Sequence, residues 1–284
     1  MVLTIVMVTA GILVVLFTLR EVFRDIFHPT LSGTVSDLAG HAASWMFRST
    51  RFRAAVGPGA LVTVIFLWVF SSAAGFALIY FPLFPEQLGP ASATATIQQR
   101  ALHSLYMSVG SLGTFQVFDV GIRNSWIRLI VGMEGLVGIS LITASVSWLV
   151  LIYPALERMR FLSKRTFMLA NAAERMKLAR VESEWLISDM ADRVVQARID
   201  LILFPILMFF YPIDKKETLA LALPHLQRIA EQCRQPHCSP TLQFAAEQLH
   251  DALLEFSRMI CERIIESDPE DLTGTFRKFA DLDR

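Results

Sequence analysis

The chain has 284 residues, 54% of them hydrophobic and 18% charged, with a mean hydropathy of +0.47. That apolar excess argues against an ordinary soluble domain and for membrane spans, and a net charge of zero gives no reason to expect a nucleic-acid partner. The three cysteines, Cys233, Cys238 and Cys261, are irregularly spaced, so reduced thiols are expected rather than a disulfide framework.

The first element is a charge-free run from Val2 to Leu19, long enough to cross roughly 30 Å of hydrocarbon. A cleaved signal peptide would need a basic start and a small-residue cleavage site. Met1 instead leads straight into the run and Arg20-Glu21 follow it, so residues 1–19 read as an uncleaved span. Residues 20–58 mix arginines with Phe23, Ile26, Phe27, Leu38, Trp45, Phe47 and Phe52. They suit an amphipathic segment on the inner leaflet, or equally a solvated linker, broken at His28-Pro29. A second span, 59–81, gives way to Pro82 and Pro85, and a third, 126–153, is predicted to stop at Pro154, because proline lacks the helical donor.

Orientation follows from the basic residues. Arg20, Arg24, Arg48, Arg51 and Arg53 crowd the first connection, and Arg158, Arg160, Lys164 and Arg165 follow the third span. The loop 83–99 carries Glu86 and no Lys or Arg. The positive-inside rule then places 20–58 and the C-terminus in the cytoplasm, with the N-terminus and 83–124 outside. Three spans fit only if 101–120, which is short and polar, enters the bilayer and returns. Non-helical backbone at that depth is tolerated where it lines a cavity or is buried in protein, which suggests an oligomeric pore.

Leu105-Tyr106-Met107-Ser108-Val109-Gly110-Ser111-Leu112-Gly113-Thr114-Phe115-Gln116-Val117-Phe118-Asp119 resembles, without a gap, the pore helix and filter of potassium channels, whose pattern is close to LYFSxTTLTTVGYGD. Leu105, Tyr106, Ser108, Leu112, Thr114 and Asp119 match, and the resemblance covers residues 59–153, with an outer helix 59–81, pore helix and filter 98–120 and inner helix 126–153. It implies a homotetramer in which Thr114, Phe115, Gln116, Val117 and Phe118 form the selectivity element, Asp119 stands at the outer mouth, and K⁺ or Na⁺ permeates without any cofactor.

Gln116 and Phe118 replace the family's glycines. Left-handed backbone costs a residue with a Cβ about 1–2 kcal/mol, so two such positions in four subunits would cost on the order of 8–16 kcal/mol. A different backbone path is therefore expected, with Gln116 amides or a Phe118 constriction lining the axis, and high selectivity for K⁺ over Na⁺ is not expected. The same loop could instead seal an oligomer without conducting. Asp119 could concentrate cations, accept pore-helix hydrogen bonds or cap the following turn.

In the third span, Gly132, Gly135 and Gly138 suit close helix packing. Gly138 also falls where the family's inner helices often hinge, and Thr143 and Ser147 are read as cavity-lining residues on or beside its face. Glu134, a lone carboxyl in an apolar run, is expected to bond the filter backbone or the pore helix and support the loop; a direct ion site is the lesser reading.

Residues 155–284 read as an α-helical cytoplasmic domain. Val194–Tyr211 is expected to be a buried bundle helix in preference to a fourth span, followed by amphipathic helices over 216–231 and 239–267. Cys233, His237 and Cys238 resemble metal spacing only loosely, and turn residues around Pro236 and Pro240 are the expected reading. No Gly-rich nucleotide loop or enzymatic constellation is recognisable. The reading is thus an all-α membrane protein with three spans per subunit, a multi-pass channel of an inner or plasma membrane, or a non-conducting sensor or scaffold on the same architecture.

Overall fold

A computed structural model of the chain describes residues 2–27, 56–84, 88, 96–115, 122, 124–176, 181–211 and 218–282. Their regular elements are all helical: α1 (Val2–Phe27), α2 (Val56–Tyr80) with a 3₁₀ turn over Phe81–Leu83, α3 (Ile97–Leu112), α4 (Ser125–Arg175), α5 (Glu184–Leu203) with a 3₁₀ turn over Pro205–Phe209, α6 (Leu219–Cys233), α7 (Pro240–Arg263) and α8 (Leu272–Leu282). Three helices among the described residues are long and apolar enough to cross a membrane: Val2–Ile26, Val56–Leu83 and Ser125–Arg175. The protein is a helical membrane protein in this sense.

Two units divide the chain, and α4 runs from the first, up to Val150, into the second, from Leu151. In the first unit α2 bears no charge and is apolar around its circumference, as a span must be where lipid replaces water. Val15 of α1, Phe76, Ile79 and Tyr80 of α2, Phe84, Leu88, Met107 of α3 and Ile127 of α4 form one buried apolar cluster. Trp68 and Trp148 add a tilted ring pair, centroids 5.2 Å apart. Outside these contacts the spans present exposed apolar side chains, among them Leu13, Phe17, Phe66, Phe70, Leu136 and Val146, which a bilayer or a second copy would cover.

Two expected boundaries are corrected. The first span does not end at residue 19: α1 continues through Arg20, Glu21 and Arg24 to Phe27. An Arg24–Glu21 ion pair at 2.5 Å, one turn apart, lets these polar residues remain helical, and the first strong breaker in the sequence is Pro29. The inner-helix candidate does not stop at Pro154 either, because α4 is continuous to Arg175 with the proline inside it. One donor is lost there, but Ile152, Ala155, Leu156, Met159 and Leu162 are buried on either side of it, and packing holds the helix through the missing bond. The rest of the expected segment 20–58, from residue 28 to 55, lies outside the described residues.

In the second unit, α7 packs against α5, α6 and α8. Leu249, Leu253, Phe256 and Ile260 of α7 recur at helical spacing and are buried with Ile187, Met190, Val194, Leu223, Leu226 and Phe276. The expected helix over Val194–Tyr211 is corrected. α5 starts earlier, at Glu184 with Ser183 as its N-cap, and ends at Leu203. Pro205 lacks the donor and its ring would clash with the carbonyl of Leu201, so Pro205–Phe209 turns as 3₁₀ instead. The helices expected over 216–231 and 239–267 are observed as α6 and α7, and α8 follows, an element not anticipated.

The continuation of α4 beyond Pro154 is fastened to α5 by a two-pronged ion pair: Arg158 Nε and Nη2 donate to Asp200 Oδ2 and Oδ1 at 2.9 and 2.8 Å. Gln196 donates to the same Oδ1 at 3.0 Å, and Asp200 is 1% exposed. Asp200→Ala should lower the thermal unfolding midpoint in detergent, at a cost of about 1–3 kcal/mol. The figure is kept below that of a fully buried pair because the Arg158 side chain is 46% exposed. An unchanged midpoint would show the pair to be idle.

A second prediction concerns acid. His225 of α6 packs edge-on against Phe167, centroids 5.1 Å apart. Burial, and then the charge of Arg228, hold its imidazole below the usual histidine range. The unfolded chain therefore binds the proton more readily, so this contribution to stability is complete above the ordinary histidine value and is lost as pH falls through the folded one. The midpoint should be lower in mild acid than at neutral pH, and His225→Gln should flatten that slope.

Candidate functional site

The site begins with α3, which is 16 residues long, about 24 Å at 1.5 Å per residue and too short to cross a bilayer. A capping box starts it: Thr96 Oγ1 accepts from Gln99 N at 3.3 Å, and Gln99 Oε1 accepts from Thr96 N at 2.9 Å. Before and after it, Leu88 and Ile122 form an isolated antiparallel backbone bridge, so the chain between them leaves and returns at one place.

The C-terminal end of α3 is a Schellman turn. Phe115 N donates to Gly110 O at 2.8 Å and Thr114 N to Ser111 O at 3.0 Å. The residue in the left-handed position is Thr114, with φ 60, where helices ordinarily use glycine. A β-branched residue there costs about 1–2 kcal/mol, so the turn into the candidate filter is strained at its first residue. Thr114 and Phe115 are exposed, Phe115 at 74%. Gln116, Val117, Phe118 and Asp119, the rest of the expected filter and mouth, lie outside the described residues.

Ser104, Ser108 and Ser111 repeat at i, i+4 and i+7, which puts three hydroxyls on one buried face of α3. Glu134 of α4, fully buried, meets that face. Ser108 Oγ lies 2.5 Å from Glu134 Oε1 and 2.9 Å from the Ala73 carbonyl oxygen of α2. The Tyr80 hydroxyl donates to Glu134 Oε2 at 2.5 Å. One carboxyl thus links α2, α3 and α4. Tyr80 and the serine face were not singled out from sequence; the signal available was a hydroxyl repeat at helical spacing beside a lone carboxyl.

Gly138 makes a close backbone contact, the packing role expected of the glycines in this run. A Cβ there would lie 1.9 Å from the Leu112 carbonyl oxygen, so the end of α3 rests on bare α4 backbone. A Cβ at Gly135 would lie an ordinary 3.6 Å from the Ser111 carbonyl oxygen, and one at Gly132 would meet nothing within 4 Å. Thr143 and Ser147 do not share the face of Gly138. At about 100° per residue they stand roughly 140° and 180° around α4 from Gly138. Both are exposed in the protomer, and Thr143 donates to Ile139 O at 3.0 Å.

Elsewhere, the Cys233 thiol donates to Val181 O at 3.3 Å and the Cys238 thiol to Gln232 O at 3.8 Å. Among the described residues no group of three His, Cys, Asp or Glu side chains is placed to hold a metal. No protein-family model, curated protein or solved structure matches the chain.

Proposed function

We propose that the protein is a potassium-channel-like, homotetrameric cation channel of an inner or plasma membrane, passing K⁺ or Na⁺ with little discrimination between them. The observation that carries the reading is α3 itself: a helix too short to span, between two spanning helices, whose flanking chain meets at Leu88 and Ile122. A returning loop of this kind exposes backbone that hydrocarbon cannot satisfy, and sister subunits around a water-filled axis supply the missing partners. The apolar side chains that α3 leaves exposed, Leu102, Tyr106 and Val109, suit a neighbouring subunit. In this reading Thr114 to Phe118 line the axis, Asp119 rings the outer mouth, Thr143 and Ser147 face the inner cavity, and Glu134 supports the loop. The N-terminus is outside and the C-terminus cytoplasmic.

The alternative is a non-conducting sensor or scaffold. The continuous helix from Ser125 to Arg175, clamped to α5 through Asp200, favours it, since such a rod would transmit movement whether or not ions pass. Flux and single-channel recording from liposomes separate the two. The channel reading expects current with either K⁺ or Na⁺ and none with an impermeant cation. A silent bilayer with intact tetramers would favour the sensor, and a monomer in native-like lipid would end both.

A further inference from the structure

We infer that Glu134 is a proton-binding site that locks the short helix α3 to its neighbours, the ligand being the proton itself. A serine hydroxyl has one proton to give. Ser108 Oγ lies 2.9 Å from Ala73 O and 2.5 Å from Glu134 Oε1, and if Glu134 were ionised both neighbours would be acceptors competing for that single proton. Ser111 also lies against the carboxyl, but its proton goes to Met107 O at 2.8 Å. Toward Glu134 it presents a lone pair. All contacts are satisfied together when Oε1 carries a proton and donates it to Ser108, Ser108 donates onward to Ala73 O, and Tyr80 donates to Oε2.

The surroundings agree. Glu134 is fully buried, and its partners are hydroxyls, with no basic side chain among them. An ionised carboxyl in a span without a cation is costly. From α2, which is charge-free, the titratable neighbour is Tyr80. On α3 Arg100 and His103 lie a turn or more nearer its start, and on α4 the Arg128 guanidinium is engaged at 3.1 Å by Ile122 O. On α1, which joins the same apolar cluster, Arg20, Glu21, Arg24 and Asp25 are the charged residues, with Glu21 and Arg24 paired at 2.5 Å. Loss of the proton turns the Ser108 hydroxyl to the carboxylate and away from Ala73. The link from α3 to α2 through Ala73 is then lost, and α3 with its strained Thr114 turn is held at Ser108 by the carboxylate alone.

This rests on the reading of α3 as the pore helix, but its test needs no current. In full-length protein in nanodiscs, infrared spectroscopy at neutral pH should show a protonated-carboxyl band that Glu134→Gln removes. Hydrogen exchange, corrected for intrinsic rates, should show amides of 97–115 losing protection roughly tenfold or more as the pH is raised until that band disappears. In Glu134→Gln, whose amide donates to Ser108 while its carbonyl accepts from Tyr80, protection should stay high over the same range. Tyr80→Phe should keep the pH response, which assigns it to the carboxyl. Ser108→Ala, which removes both the acceptor for the Glu134 proton and the donor to Ala73 but leaves the carboxyl in place, should shift the carboxyl band, and serves if the Gln variant folds poorly. A missing band, an unmoved band in Ser108→Ala, or a pH response unchanged in Glu134→Gln would overturn the inference. A monomeric, silent protein that shows the band would sink the pore and leave the proton site standing.

Discussion

Gly138→Ala will detach the end of α3. The added methyl would meet the Leu112 carbonyl oxygen at 1.9 Å, its carbon at 2.7 Å and its Cα at 3.0 Å. All three are backbone atoms, so no side chain can swing aside and the whole helix end must move. Overpacking a tight contact costs about 1–3 kcal/mol and sometimes more, and this contact belongs at the top of that range. The check is built into the helix. Gly132→Ala, with nothing within 4 Å, and Gly135→Ala, with an ordinary contact at 3.6 Å, should leave the thermal midpoint unchanged or raise it, because alanine is the better helix former by about 1 kcal/mol. A hinge at Gly138 predicts the opposite result, a stiffer and more stable Ala variant. Equal behaviour of the three variants would remove the close contact from the account.

Gly11→Ala should separate α1 from α2. Its Cβ would lie 2.5 Å from the Gly75 carbonyl oxygen and 2.7 Å from Ile79 Cγ1. Helices that approach this closely in a membrane gain their stability from the contact itself, since lipid offers no hydrophobic push. The expected loss is about 1–3 kcal/mol by the same overpacking scale. Gly75→Ala should be milder, because its nearest obstacle is Val15 Cγ2 at 2.7 Å, a side-chain atom, with Gly11 O at 3.1 Å. Melting of the two variants in lipid checks the order. A Gly75→Ala loss larger than that of Gly11→Ala would contradict it.

What could be read from sequence here was what composition alone decides. Long apolar runs, two of them charge-free, marked three membrane-length helices, and the cost of a lone carboxyl in the third drew attention to Glu134. Its partners escaped notice because Ser108 and Tyr80 lie 26 and 54 residues away, and a serine or tyrosine gives no local sign that it faces a carboxyl. Gly138 reads as a packing glycine from sequence, but nothing local tells which neighbour it meets, here the Leu112 carbonyl. Pro154 and Pro205 show the limit of breaker rules. The first is held in a helix by burial on both sides, whereas the second, in a run as apolar as its surroundings, turned the chain into 3₁₀. Thr143 and Ser147 were grouped with Gly138 although their spacings of five and nine residues carry them around the helix. That error was avoidable by counting. α8 was missed although Leu272, Phe276 and Ala280 recur every four residues, because the Asp268-Pro269 stop drew attention away from what followed.

The most direct test asks from which side the loop can be reached. Single cysteines at Ile97, Val109 and Trp126, which are exposed in the protomer at 78%, 53% and 74%, would be challenged in intact cells with a membrane-impermeant maleimide. The native Cys233, Cys238 and Cys261 would be replaced by serine. A returning loop inside an oligomer predicts labelling of positions 97 and 126 from the outside and protection of position 109 until the protein is solubilised and dissociated. Labelling of 97 and 126 from opposite sides, or free labelling of 109 from outside, would contradict it.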